Sequence, residues 1–287
     1  MTWTDVPGGM PTSLLPHGTL QVTAHMPDPR ISIITINRNG GATVARTVAS
    51  VRQQQQMYQW VVIDGASNDG SEALLRAAVQ PGDVCISEPD RGIADAFNKG
   101  LRLAAGDAVL FMNAGDEFAR PDALSQLVAA WDRSRYRWIA GTADVVDEQG
   151  RALYRRAVAQ PRDPRDLIRT DCRIFHQAAL CERHLLLEAG GFDESYRIGM
   201  DYDLWCRLLR AGHTPQMVQI AVCRYRVGGV SGNVLRRLTE HRRARAASGM
   251  ANPWWYELRL SAIARAKHLL RGCVGGWAYR FKEWLRW

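Results

Sequence analysis

Between residues 31 and 112 the chain alternates short β-branched runs with stretches of helical period, and this rhythm restricts the fold more than any other feature. ISIITIN (31–37), WVVID (60–64), DVCIS (83–87) and AVLFM (108–112) read as strands, the first two as buried ones. Between them, residues 42–54 carry Val44, Val48 and Val51 at spacings of four and three, the mark of an amphipathic helix. Residues 71–79 and 92–105 read as two more helices. A β-α-β-α succession of this kind predicts an α/β fold with a mostly parallel sheet and helices on both faces. Ligands of such sheets bind beyond the carboxyl ends of the strands, so the polar residues there are the ones to examine.

The second half is less regular. A helix over 121–133, a strand over 137–143 and a hairpin around Glu148-Gln149-Gly150 are expected. Residues 198–211 form a helix with Leu204, Leu208 and Leu209 on one face, and 215–226 an edge strand. Residues 1–28 are rich in Pro, Gly and Thr without a period and read as a loose leader. They lack the basic start and apolar run of a signal peptide. No apolar stretch reaches the ~18 residues of a membrane-spanning helix. Cysteines 85, 172, 181, 206, 223 and 273 form no CxxC pair, so reduced thiols in a cytosolic protein are expected rather than a zinc site or disulfides.

Three acidic clusters follow strand or helix boundaries. Asp64 leads into Gly65-Ala66-Ser67-Asn68-Asp69-Gly70, Asn113-Ala114-Gly115-Asp116 follows the fourth strand, and Asp201 and Asp203 open the helix after Gly199-Met200. Aspartate is a good turn and cap residue, and a cap is the preferred reading for Asp69. Asp64 and Asp116, each ending a buried strand beside glycines, are better read as functional. The first strand runs into Asn37-Arg38-Asn39-Gly40-Gly41, which has neither the GxGxxG spacing nor a Walker A pattern. A nucleotide site here requires carboxylates and a divalent cation instead.

Six segments in order now resemble a known family: ISIITINRNG, WVVIDGASNDGS, EPDRGIADAFNKGL, AVLFMNAGDEF, IFHQAALC and GFDESYRIGMDYDLWCRL. They look like the family-2 glycosyltransferases with the GT-A fold, in particular the bacterial exopolysaccharide or colanic-acid-type branch. The resemblance spans residues 30–227. It implies that Thr35 and Asn37 line the nucleotide pocket and that Asp64 hydrogen-bonds the base. Arg91 matches a position near base and diphosphate, while Asp95, Asn98 and Lys99 face the donor cleft. Asn113 and Gly115 replace acidic positions of the usual metal motif, leaving Asp116 as the carboxylate for Mn²⁺ or Mg²⁺, with Glu117 beside it. His176 is implied near the diphosphate or metal. Asp201 matches the catalytic base, Met200 replaces its acidic neighbour, and Asp203 suits a cap or ion pair. An inverting hexosyl transfer follows from a nucleotide-sugar donor to a saccharide acceptor, on a lipid, in surface polysaccharide assembly.

The charge adds a partner. Residues 236–287 hold twelve Arg/Lys and three Glu, net +9, against +8 for the whole chain, so residues 1–235 sum to −1. Trp255, Leu258, Ala262, Ala266, Leu269 and Cys273 recur at helical spacing among these basic residues. A basic amphipathic helix with Trp suits an anionic bilayer surface at 252–287, and packing on the protein is the alternative. The expected organisation is a leader (1–28), a GT-A domain (29–232) and a basic helical tail (233–287), on the cytoplasmic membrane face. The acidic balance of the remainder argues against nucleic acid as partner. A nucleotidyltransferase and a degenerate sugar-nucleotide binder are the competing readings.

Overall fold

In a computed structural model, residues 30–262 are described, apart from 148, 157–158, 170–171, 228–233, 253 and 260. The expected leader, Glu148 of the hairpin, Cys273 and the tail beyond 262 lie outside the described residues.

The rhythm of the first half becomes β1 (Ile31–Asn37), α1 (Val44–Arg52), β2 (Tyr58–Asp64), α2 (Ser71–Ala78), β3 (Val84–Ser87), α3 (Ile93–Leu103) and β4 (Ala108–Phe111). Then follow β5 (Glu117–Phe118), α4 (Ala123–Ala130), β6 (Trp138–Val146), β7 (Ala152–Arg156), β8 (Ala179–Glu182), α5 (Arg183–Glu188), α6 (Met200–Arg210), β9 (Gln216–Arg226) and α7 (Val234–Ala247). Among the described residues nine strands make one sheet, ordered β3-β2-β1-β4-β8-β6-β9-β5, with β7 paired to β6. The β1–β2, β2–β3, β1–β4 and β6–β9 pairs are parallel. The chain lays β2 and β3 on one side of β1 and β4 on the other, so the winding reverses at β1. Such a switch point opens a crevice at the carboxyl ends.

Side chains alternate between the two faces of each strand. Ile34, Val61, Ile63, Val109 and Phe111 join one core with Phe97 of α3 and Leu204, Trp205 and Leu208 of α6. Ile31, Ile33, Val62, Ala108 and Leu110 join the other, with Val44 and Val51 of α1, Leu75 of α2 and Leu124 of α4. Both faces being covered explains why these strands read as continuous apolar runs. Trp138 and Trp205, both fully buried, stack at 4.7 Å and 13°. This fastens α6 to the sheet, and such a pair adds about 0.5–1.5 kcal/mol beyond its buried area.

Two expectations change. Residues 216–226 do not form an edge: β9 runs along β6 and receives β5 at Cys223 and Arg224. The register of β6 against β9 shifts at Gly141, where a Cβ would lie 2.6 Å from the Ile220 carbonyl, so only glycine fits there. The tail is not separate from the domain at 233 either. The basic helix α7 packs on α6, with Ala244 in the core and Glu240, His241 and Arg245 buried. Cys85, Cys172, Cys181, Cys206 and Cys223 are free thiols. Among the described residues no helix is long and apolar enough to cross a membrane.

Candidate active site

Parallel register brings three polar residues into a row at the ends of β1, β2 and β3: Asn37 beside Asp64, and Asp64 beside Ser87. Asp64 is fully buried and accepts four hydrogen bonds. Its Oδ1 takes the Asn37 amide (2.7 Å) and the Ser67 hydroxyl (2.6 Å). Its Oδ2 takes the Ser67 backbone N–H (2.9 Å) and the Ser87 hydroxyl (2.6 Å). Burial opposes the charged form, but these donors together outweigh it and hold the carboxyl below the usual range. The loops after β1 and β2 are stitched together around this point. Asn37 also donates to Ser71, Ser67 accepts from the Asn39 N–H, and Asn39 accepts from the Asn68 N–H. Asp69 accepts from the Gly41 and Ser71 N–H groups, a turn role just ahead of α2, whose N-cap is Gly70 rather than Asp69. Ala66 adopts a left-handed φ of 56°, so strained backbone sits two residues after Asp64.

A second group gathers at the end of β4. A short 3-10 turn, His176–Ala178, brings His176 between Asn113 and Asp201. The Asn113 amide meets His176 Nε2 at 2.9 Å, and His176 Nδ1 meets Asp201 Oδ2 at 3.1 Å. With the Asn113 nitrogen donating, a ring carrying its proton on Nδ1 satisfies both contacts. Asp201 opens α6, keeps 21% of its side chain exposed, and takes the Tyr202 N–H on Oδ1 at 2.7 Å. Burial works against its charge, yet the His176 hydrogen bond and the nearby His176 and His241 rings hold the carboxyl below its ordinary value. Asp116 is buried, with Gln177 on Oδ2 (2.6 Å) and the Arg226 N–H on Oδ1 (3.2 Å). There burial prevails and pushes the carboxyl up.

The third group lies at the start of α3. Arg91 is exposed and bridges Asp95 (3.0 Å) and Glu194 (2.9 Å). Lys99 is mostly covered and bonds Glu88 (2.8 Å), the Pro89 carbonyl (2.9 Å) and, at 3.5 Å, Asp95. Asp95 is buried and held low, first by the Arg91 backbone N–H.

Two residues expected in the site sit elsewhere. Thr35 is fully buried and accepts the Trp60 indole N–H at 2.9 Å, so it points into the core rather than lining a pocket. Asn98 spends both halves of its amide on the Phe192 backbone, each at 2.8 Å, and so ties α3 to the approach to α6. His176 lies within the site, with its two ring nitrogens engaged by Asn113 and Asp201. Asp203 pairs with Arg207 at 2.8 Å, as an ion-pair role requires. Glu117 pairs with Arg226 at 2.8 Å on β5. Ser67, Ser87, Gln177 and Glu194 were not singled out by sequence. Ser87 was readable as the residue ending the third strand, and Gln177 as the neighbour of His176.

No group of three His, Cys, Asp or Glu fit to hold a metal ion occurs among the described residues. The donors present are nevertheless suitable for a cation shared with a ligand. Asp116 has one hydrogen bond on each oxygen, leaving acceptor capacity on both. Asn113 Oδ1 is buried without a hydrogen-bond partner. A lone carboxylate and an orphaned carbonyl at one strand end fit a hard divalent cation that takes further oxygens from a diphosphate and water.

The Asp64 network has a measurable signature. A carboxylate whose folded value is depressed adds stability above its unfolded value, about 3.9, and loses it as pH falls through the lower folded value. D64N is expected to be less stable than the parent by about 2 kcal/mol at pH 7, from lost charge-assisted hydrogen bonds. The gap is expected to close towards pH 3 in urea unfolding. A gap that stays constant with pH contradicts an ionised Asp64.

The sequence profile of "Glycosyl transferase family 2" matches residues 32–184, more than half the chain. Asp201 and α7 lie beyond the matched residues. An uncharacterized glycosyltransferase of Mycobacterium tuberculosis is 31% identical over 216 residues, 71% of this chain and 78% of that protein. Succinoglycan biosynthesis protein ExoO of Rhizobium meliloti is 27% identical over 198 residues, 64% of this chain and 57% of ExoO. The mannosyltransferase PcManGT of Pyrobaculum calidifontis, solved with GDP-Man and Mn²⁺, superposes with a TM-score of 0.60 at 20% identity. That match covers 88% of this chain and 72% of the mannosyltransferase, and it shows the shared fold. By its sequence match to the family and to the Mycobacterium tuberculosis relative, the chain belongs to glycosyl transferase family 2 and is a glycosyltransferase.

Proposed function

We propose that the enzyme moves a hexosyl group from a nucleoside-diphosphate donor to a hydroxyl of a lipid-linked saccharide, inverting the anomeric carbon, in surface polysaccharide assembly. One observation carries this reading: Asp201 is partly open at the start of α6 and is held by a histidine that also touches the residues after β4. That is the environment of a proton acceptor set beside a donor crevice.

The roles divide among the three groups. The base of the nucleotide meets Asp64 by exchanging one serine hydroxyl for its own N–H, which keeps the carboxylate fully hydrogen-bonded. Asn37, at 4% exposure, holds Asp64 and both loops during that exchange. Arg91, exposed on the rim, swings from Glu194 towards the diphosphate, and its planar fork suits phosphate oxygens. Lys99 and Asp95 keep Arg91 and the loop before α3 in position. Asp116 and Asn113 Oδ1 would hold Mn²⁺ or Mg²⁺, which when bound offsets charge on the departing diphosphate. The acceptor oxygen attacks the anomeric carbon as the bond to the diphosphate breaks. The proton of that hydroxyl passes to Asp201, and the electron pair leaves with the nucleoside diphosphate. His176 donates to Asp201 throughout and fixes which oxygen faces the acceptor.

A lipid-borne acceptor calls for a membrane surface. Trp254, Trp255 and Leu258 are 72%, 54% and 60% exposed, next to the exposed Arg259. Aromatic and basic side chains together on a helix suit an anionic bilayer face. This supports peripheral attachment on the cytoplasmic side through 252–287.

Two experiments test the proposal. D201N is expected to lower turnover by about 10³-fold, measured as nucleoside diphosphate released from UDP- or GDP-sugars with bacterial lipid extract. Donor affinity should change less than about threefold, because the lost contact forms only in the transition state. Loss of donor binding instead would make Asp201 structural. Flotation with phosphatidylglycerol vesicles should be abolished by deleting 252–287, and unchanged flotation removes the membrane role.

A further inference from the structure

The sheet and α6 do not by themselves account for how Asp201 is held. Asp201 is the second residue of α6, and the backbone leading into it turns through Arg197, Ile198 and Gly199. N–H groups before a helix have no partner within the helix. Here they are met from outside. Glu240 of α7 accepts from Ile198 and Gly199, both at 2.8 Å on Oε2, and from Arg197 at 3.1 Å. Its other oxygen takes Arg236 Nε at 3.0 Å. Glu240 is 8% exposed, and burial opposes its charge, but these amides and Arg236 hold it ionised. A negative charge at a helix N-terminus is also favoured by the helix dipole.

The next residues of α7 continue the grip. The His241 ring lies flat on Tyr202, the residue after Asp201, at 3.8 Å and 5°. Arg245, 2% exposed, donates to the Tyr202 hydroxyl at 2.7 Å and to Glu257 at 2.5 Å. Tyr202 in turn donates to the Ile168 carbonyl. The close approach is built in. A Cβ at Gly199 would lie 3.2 Å from Glu240 Cβ and from the His241 ring, so Gly199 lets α7 come down onto the start of α6.

We infer that Glu240 is a positioning residue for Asp201: α7 clamps the 197–199 backbone and so fixes where the carboxylate meets the acceptor. The inference rests on Asp201 being the proton acceptor. It makes the start of the basic tail part of the catalytic apparatus. A structural prop would affect the amount of folded enzyme, whereas a positioning residue affects turnover of enzyme that still binds donor.

The test is a set of variants of the full chain. Turnover is scored as nucleoside diphosphate release from the UDP- or GDP-sugar that binds by calorimetry, normalised to the number of donor-binding sites. E240A is expected to lower turnover per site by about tenfold or more, with donor affinity within about twofold of the parent. E240Q keeps an oxygen for the three amides and should restore most of the rate. Hydrogen exchange in 196–203 should rise in E240A, while exchange in 31–64 stays unchanged. In the D201N background E240A should cost no further turnover, since both act through one carboxylate. If E240A does not fold, E240D, which keeps the charge but shortens its reach, is judged by the same criteria. Turnover per site unchanged in E240A, or full additivity with D201N, overturns the inference. Undiminished turnover in D201N sinks the base assignment instead, and with it this inference. D201N losing turnover while E240A does not sinks the clamp alone.

Discussion

A buried carboxylate is stable only when donors meet its charge, and the site is organised by three such groups solved in three ways. Asp64 has a hydrogen bond for each of its lone pairs and stays ionised although fully buried. Asp201 has one backbone donor, one histidine and an open edge, and stays ionised with room for a proton. Asp116 is buried with only two donors, and burial pushes it towards the neutral form. One kind of side chain thereby meets three environments, which suit it to different roles. A saturated carboxylate suits recognition, an open one suits proton transfer, and a strained one suits a cation that would supply the missing charge.

The supports of these groups come from separate parts of the chain. The row Asn37–Asp64–Ser87 is a consequence of parallel register, which aligns the ends of β1, β2 and β3. The Asn113–His176–Asp201 chain joins the end of β4, a short turn and α6. The stacked Trp138 and Trp205 hold α6 against the sheet, and α7 holds its first turn. The site is therefore as firm as the packing on the α6 side, which explains why so much of that core is aromatic: Phe97, Phe111, Phe192, Trp138, Tyr202 and Trp205.

The parallel half was legible because its strands are covered on both faces and its helices on one, so apolar periodicity follows local structure directly. Asp64 stood out as a candidate for the same reason, as a charged residue ending an apolar run, and Asp116 as the carboxylate of the short loop after the fourth run. Residues whose role is set by long-range contacts were not. Thr35 and Asn98 lie inside site-like motifs, yet one turns to Trp60 and the other to the Phe192 backbone, 94 positions away. The two-residue β5 carries no period, and it is what takes β9 away from the edge. The basic run 236–245 belongs to a tail whose charge points to an anionic partner, but Glu240, His241 and Arg245 within it are buried against α6. Charge alone does not reveal which member of a basic helix finds a partner 40 residues earlier.

The central claim is a nucleotide crevice at the ends of β1, β2 and β4 with a cation beside Asp116. Calorimetric titration of UDP and of GDP, each with and without Mn²⁺, tests it most directly, with D116A alongside. Binding of one nucleotide that strengthens at least about tenfold with Mn²⁺, and loses that gain in D116A, is the expected result. Binding of neither nucleotide, or binding indifferent to both Mn²⁺ and Asp116, would contradict it.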